Sequence, residues 1–436
     1  MADENKNENE VPSKVQALAD VATDEDKLFH DGYVKGVSEF LKECATPMTI
    51  AIQGDWGAGK TTLINLIEAE LRAKEQPAEG DGSEAQKYCK DVINVMVYDI
   101  WRQAVVDPKA DLFEGFFSDM ISKLSGSGLE TLKGVSEFAS AASEILGTID
   151  ILGGGSKDDS PGGSILSSLF GFGGNSNPEP QDDPITSEDI DALRNMFVGA
   201  LKETAEACGK SKDSRLVVFV DGLDLINPET AIDFMEEVKT YMDCPRCILV
   251  HAVDEKIVFE GLRRKHGDKV DEGRKKMLFD KLVQVPLRIP ASAYNLDNFI
   301  KTLLKDDEQH ADELVGVINI LLNEPTPRRV KRYVNSMYLY RNVFDELESA
   351  GDGSLAMMFA AVILKVDSVR GFNAVAECAR GDEEHFAENV KAALDPLGLK
   401  DGINWAMLPD LWRGGEDGEV DIAKRSAFLS WVRKLK

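Results

Sequence analysis

Five short runs of near-continuous apolar and β-branched residues stand out along the chain: MTIAIQ from Met48, VINVMVY from Val92, LVVFVD from Leu216, CILVHAV from Cys247 and LVQVPL from Leu282. Runs that do not alternate with polar residues suit strands covered on both faces, as in a parallel sheet. Helical periods lie between them. After Lys60, the residues Leu63, Ile64, Ile67 and Leu71 fall on one face. Asn227-Pro228-Glu229 offers a cap and an N1 proline to a helix that would bury Ala231, Met235, Val238 and Met242. The pattern predicts an α/β fold, a mainly parallel sheet flanked by crossover helices.

Residues 112 to 184 break this alternation. An amphipathic stretch runs into GGGSKDDSPGGSILSSLFGFGGNSNPEPQDDP, a composition that sustains neither a long helix nor a central strand. We read it as an insertion with a flexible tip, separating core halves at 21–111 and 185–290. The polar start MADENKNENEVPSK predicts a disordered tail over 1–20. Past Pro290 the strands stop: residues 291–345 read as a helical lid and 346–436 as a helical C-terminal domain, with breaks near NEPTPRR, GDG and WRGGEDGE.

Composition narrows the function classes. With 436 residues, 43% hydrophobic, 29% charged and a formal net charge of -27, the chain is built for a substantial core and not for coating nucleic acid or anionic membrane. No run of eighteen apolar residues exists, so no spanning helix is expected. The six cysteines are too scattered for a disulfide framework and no signal peptide is evident, which places the protein in a reducing cytoplasm. Cys244-Pro245-Arg246-Cys247 lacks the second ligand pair that structural zinc requires. His251, inside an apolar strand, is expected to be a core residue.

The candidate chemistry sits at the end of the first strand. Gly54-Asp55-Trp56-Gly57-Ala58-Gly59-Lys60-Thr61, followed by Thr62, fits G-x-x-x-x-G-K-[ST] between a strand and an amphipathic helix. Such a turn aims successive backbone N–H groups and a helix dipole at an anion. Lys60 would reach the β- and γ-phosphates, and the Thr61 hydroxyl would bind Mg²⁺. LVVFVD delivers Asp221 at a strand's C-terminal end, the predicted metal-side carboxylate. One strand and its crossover lie between loop and Asp221, an order unlike that of small nucleotide kinases.

Six blocks in order then carry a resemblance: the phosphate loop, Tyr98-Asp99-Ile100-Trp101-Arg102, VVFVDGLDLINPETAIDFMEEVK, ILVHAVDEKIV, FDKLVQVPLRIP and TPRRVKRYVN. Over roughly Asp24 to Arg341 the chain resembles the KAP family of P-loop NTPases. The resemblance implies an ATPase-like core using ATP and Mg²⁺, with an insertion before the Walker B strand that carries transmembrane helices in many members. Here that insertion is too polar and glycine-rich to span a bilayer, and its SILSSLFGF segment is expected to be covered or to meet a partner. Prokaryotic members are associated with phage exclusion.

The chain also departs from the family. Where members show Asp-Asp-Leu-Asp-Arg, this sequence has Asp221-Gly222-Leu223-Asp224-Leu225. Glycine accepts no proton, which leaves Asp224 as the candidate base, and general-base help is worth about 10²–10⁴ in rate. Tight nucleotide binding with slow hydrolysis is the expectation. Asp254 stands where related ATPases keep a γ-phosphate sensor, though capping of the next helix explains it equally. Arg328 matches the family's Pro-Arg lid motif and is assigned to the γ-phosphate, against the alternative that Arg328, Arg329, Lys331 and Arg332 form a solvated basic face. Trp101 and Arg102 match the family's Trp-Arg pair and receive no chemical role. The basic stretch LRRKHGDKVDEGRKK is read as an exposed helical surface.

The combined expectation is a cytoplasmic Mg-ATP switch that reports to a protein partner through its C-terminal domain. Homo-oligomerisation stays open, nucleic acid is not expected, and membrane contact would be peripheral at most. Two competitors remain, a scaffold with structural nucleotide and a nucleic-acid loader or motor.

Overall fold

The structure is a computed structural model and describes residues 28, 31–72, 88–106, 108, 111–125, 133–152, 186–267, 272–289, 295–304, 310–323, 325–346, 355–380, 385–399, 402–414 and 419–436. The expected N-terminal tail and the glycine-rich tip of the insertion lie outside the described residues. Helix α1 (Asp31–Glu43) leads into β1 (Met48–Gln53), α2 (Lys60–Leu71), β2 (Val92–Asp99), α3 (Ile100–Val106), α4 (Leu112–Ser125), α5 (Lys133–Leu152), α6 (Ser187–Ala207) and β3 (Arg215–Asp221). A 3₁₀ turn (Leu223–Leu225) precedes α7 (Pro228–Met242), β4 (Cys247–Val253), α8 (Glu255–His266), α9 (Glu272–Leu282) and β5 (Val285–Arg288).

The five strands form one parallel sheet in the order β2-β3-β4-β1-β5. Its two faces explain why the strand sequences do not alternate. Ile50, Ile52, Val217, Phe219, Ile248 and Val250 face one core; Ala51, Met96, Tyr98, Val218, Val220 and Leu249 face the other. The second core also takes Phe113, Phe116 and Phe117 of α4 and Phe138 of α5, with Tyr98 and Phe116 edge to face at 5.3 Å and Phe138 and Phe197 at 4.7 Å. The helical part of the segment read as an insertion thus covers the sheet, with aromatic pairs that add to simple area burial.

Local signals explain the helix starts. Asn227 accepts a hydrogen bond from the Glu229 amide at 3.0 Å with Pro228 at the first helical position. Thr186 and Asp189 close a capping box at the head of α6. The fifth strand differs from the expected LVQVPL: Leu282 ends α9 and pairing starts only at Val285. Pro286 has no N–H to give to a ladder, and β5 accordingly lies at the sheet's edge.

Beyond β5 come α10 (Leu296–Leu303), α11 (Ala311–Leu321), α12 (Pro327–Glu346), α13 (Leu355–Asp367), α14 (Val369–Cys378), α15 (Phe386–Leu394) and α16 (Ile422–Leu435). The expectation that strands stop at 290 needs one correction, a two-stranded ladder joining β6 (Arg413–Gly414) to β7 (Glu419–Val420). Every residue from Ala356 to Leu364 is buried, as suits a helix surrounded by others. The first core runs unbroken from Ile50 and Phe219 through Val330, Tyr333 and Met337 to Phe359, Phe428 and Val432. Between α12 and α13, Arg329 pairs with Asp367, and Tyr333 donates its hydroxyl to the same carboxylate, which is 8% exposed.

Candidate functional site

The phosphate loop owes its shape to two glycines. Gly57 and Gly59 have φ of 83° and 85°, the left-handed region that costs a β-carbon roughly 1–2 kcal/mol per residue. Gly59 caps α2 without a side chain, so the helix's first N–H groups are left to a ligand. The loop is anchored to β4 by the Gly54 amide donating to Val253 O at 3.3 Å, and Lys256 reaches Asp55 at 2.8 Å. Ala58 and Thr62 are buried beneath it.

The reactive side chains meet at the C-terminal edge of the sheet. The Thr61 hydroxyl donates to Asp221 Oδ2 at 2.6 Å, although their strands are separated by β4. Asp221 Oδ1 accepts from the Gly222 amide at 2.8 Å. Burial pushes the Asp221 carboxyl above its ordinary pKa; the bonds from Thr61 and Gly222 oppose this, and the charges of Asp224 and Asp99 add to it. A carboxylate held against a hydroxyl and crowded by like charge is a fitting seat for a divalent cation, and Thr61 and Asp221 would hold it.

Lys60 Nζ donates to Gly54 O at 2.8 Å and Asp55 O at 3.3 Å and lies 2.9 Å from Asp224 Oδ2, with the two side chains 7% and 8% exposed. The contact with Asp224 is close but not aligned as a hydrogen bond. Asp224, the residue expected as base, is placed as the buried counter-ion of Lys60. Asp254 does not line the cavity; its carboxylate accepts from the Lys256 amide at 2.9 Å and caps α8.

Arg328, at the start of α12, lies on the loop. Its amide donates to Gly57 O at 3.4 Å, and its guanidinium stands 4.6 Å over the Trp56 ring, a cation–π stack. A Cβ on Gly57 would come within 2.7 Å of the Arg328 Cβ, so the close approach of lid helix and loop requires glycine there. The resulting cavity, about 270 Å³, is lined by these groups and also by Leu28, Asp99, Trp101 and Lys331. That volume is below the ~300–1,000 Å³ of whole drug-sized ligand pockets and suits the phosphate end of a nucleotide.

Sequence reasoning did not select Asp99 or Lys331. Asp99 ends its strand as Asp221 does, a signal that was available; Lys331 could not be told from the basic residues around it. Elsewhere, Arg263 and Arg264 pair with Glu260 at 2.7 and 2.9 Å, and Lys265 with Glu236 at 2.7 Å, so the basic stretch of α8 is answered locally. His251 is buried in β4 between Ala51 and Val220, its pKa lowered to about 4 by burial and by the nearby charge of Lys239. Cys244 and Cys247 are buried with sulfurs 3.5 Å apart. Among the described residues, no cluster could hold a metal through three His, Cys, Asp or Glu side chains, and no helix is long and apolar enough to cross a membrane.

Comparison with known proteins agrees with this geometry. Residues 30–344 match the KAP family P-loop domain. The chain is also similar to the Phage T7 exclusion protein of Escherichia coli (strain K12), at 21% identity over 340 residues. That alignment takes in 68% of this chain but 39% of the exclusion protein, so the chain spans well under half of that relative.

Proposed function

The chain belongs to the KAP family of P-loop NTPases, and from that premise we propose that it binds Mg-ATP as a slowly hydrolysing switch read out by the helices after β5. The observation that carries the proposal is the convergence of three elements on one loop: the open helix end after Gly59, the Thr61–Asp221 contact at 2.6 Å, and Arg328 seated on Gly57 and Trp56. Lys60 exchanges its carbonyl partners for phosphate oxygens. Thr61 and Asp221 hold Mg²⁺, which supplies positive charge against the phosphate oxygens in such sites. Arg328 gives ATP and ADP different affinities for two positions of α12, and only such a difference lets nucleotide move an equilibrium.

Equilibrium binding of ATP with and without Mg²⁺, followed by single-turnover cleavage of γ-labelled ATP, tests this. The expected result is Mg²⁺-dependent binding that Lys60→Ala abolishes, with cleavage slow in wild type. A brisk steady-state ATPase would sink the slow-switch reading, and binding that survives Lys60→Ala would sink the site. One observation favours a second reading, a scaffold with structural nucleotide: position 222 offers no carboxylate and Asp224 is paired to Lys60. Bound ATP that stays intact over hours would select it.

The likeness to a phage exclusion protein supports a role in phage defence, with a protein partner on the C-terminal helices. Plaque counts on cells carrying wild type or Lys60→Ala test that role. Equal counts would remove it.

A further inference from the structure

We propose that Asp99 orients the water that attacks the terminal phosphate, in place of the acid that position 222 lacks. The inference rests on the Mg-ATP reading above. Strands β2 and β3 are neighbours, and their register sets Asp99 opposite Asp221, so two adjacent strands deliver carboxylates at one level of the sheet edge. A Cβ built on Gly222 would stand 3.3 Å from Asp99 Oδ1 and 3.0 Å from the Trp101 Cβ. The Asp99 carboxylate thus borders the space from which a second acid beside Asp221 would project.

Three acids line the cavity, and two are committed. Asp221 holds Thr61 and the Gly222 amide, and Asp224 is Lys60's counter-ion at 8% exposure. Asp99 Oδ1 accepts from the Arg102 amide at 2.9 Å, which fixes the carboxylate at the head of α3, while Oδ2 takes no hydrogen bond among the described residues. The residue is exposed, so water reaches it without any ion pair breaking. An oxygen tethered on one side and open on the other is what water orientation needs.

In the step, the water oxygen bonds to the γ-phosphorus while the bond from that phosphorus to the bridging oxygen breaks, and ADP leaves with the electron pair. Asp99 Oδ2 accepts a hydrogen bond from the water and aims its lone pair. Both water protons end on the released phosphate, so atoms and charge balance.

The test uses the full chain carrying Asp99→Asn. Asparagine caps a helix as well as aspartate does, so α3 keeps its start, but an amide is a poorer acceptor for the water. Binding of a fluorescent Mg-ATP analogue and the melting temperature should match wild type, while single-turnover cleavage falls by about 10²-fold. Affinity for Mg-ADP with aluminium fluoride, which mimics the in-line transition state, should fall at least about tenfold while affinity for Mg-ADP alone holds. Asp99→Ser keeps a capping oxygen and must behave alike, which guards against one variant failing to fold.

Cleavage or aluminium-fluoride affinity at wild-type level in both variants overturns the role of Asp99. So does a wild type that binds Mg-ATP and cleaves none, which leaves the nucleotide site itself standing. A wild type that binds no Mg-ATP, or binds it equally with Lys60→Ala, brings down the underlying reading and this inference with it.

Discussion

Two sets of charges line the cavity at the phosphate loop, and they reach it by different routes. The cations Lys60, Arg328 and Lys331 come from the N-terminal ends of two helices, α2 and α12. The acids Asp99 and Asp221 come from the ends of neighbouring strands, with Asp224 on the turn that follows. A helix start gathers groups close in sequence, whereas a sheet edge gathers groups far apart in it. The cationic side therefore carries a local signature, and the acidic side exists only once strand order is known. The two sets already touch through Lys60 and Asp224.

The strongest way to break the pairing is Lys60→Ala. It strips a buried pair of its cation and leaves Asp224 uncompensated, which should cost about 3–5 kcal/mol of stability besides abolishing ATP binding. Chemical denaturation without nucleotide measures it, and the double variant with Asp224→Ala should recover most of the loss. A stable Lys60→Ala protein would show that the pair is solvated.

His251 sits in β4, the strand between the loop-bearing β1 and the acid-bearing β3. Its folded pKa of about 4 lies below its unfolded value, so the neutral ring's stabilising contribution is complete above pH 6.5 and is lost as pH falls through 4. Between pH 7.5 and pH 5 wild type should lose about 2 kcal/mol that His251→Gln does not lose. Parallel pH slopes for the two proteins would remove His251 from the account.

On the acidic side, Gly222 has a φ of 81° and its absent Cβ would crowd Trp101 at 3.0 Å. Gly222→Asp should therefore lower stability by roughly 1–2 kcal/mol and fail to speed cleavage. Thermal melting and single-turnover hydrolysis together check this, and a faster enzyme would mean that the backbone adapts. The smallest expected effect is on the lid: Arg328→Ala removes a stack over Trp56, an aromatic that is 63% exposed, worth about 0.5–1 kcal/mol. Its larger signature should be loss of any nucleotide-dependent change in Trp56 fluorescence.

Four strands, the phosphate loop, the place of Asp221 at a strand's C-terminal end and the nearness of Arg328 to the loop were all legible, because each rests on short-range pattern. The fifth strand shifted because Leu282 and Val283 suit a buried helix end as well as a strand, and only Pro286 hinted at an edge. Phe113, Phe116 and Phe117 read as an amphipathic stretch but not as a cover for β2 and β3, since periodicity does not say which surface a face meets. Asp224 looked available because a sequence does not display ion pairs. Asp99 received no role in the sequence; the structure makes it the cap of α3, and its location beside Asp221 follows only from the register of β2 with β3. Asp254 carried two equal explanations, and the geometry places it as a cap.

Arg328 and Arg329 are consecutive residues, yet the first lies over Trp56 on the phosphate loop and the second is bound to Asp367 at the end of the buried helix α13. One peptide unit therefore separates the phosphate loop from the end of α13. Close-packed interiors yield little to compression, so the first turn of α12 links the phosphate loop directly to the contact at Asp367. A backbone shift at Arg328 therefore acts on the carboxylate's bonds to Arg329 and Tyr333.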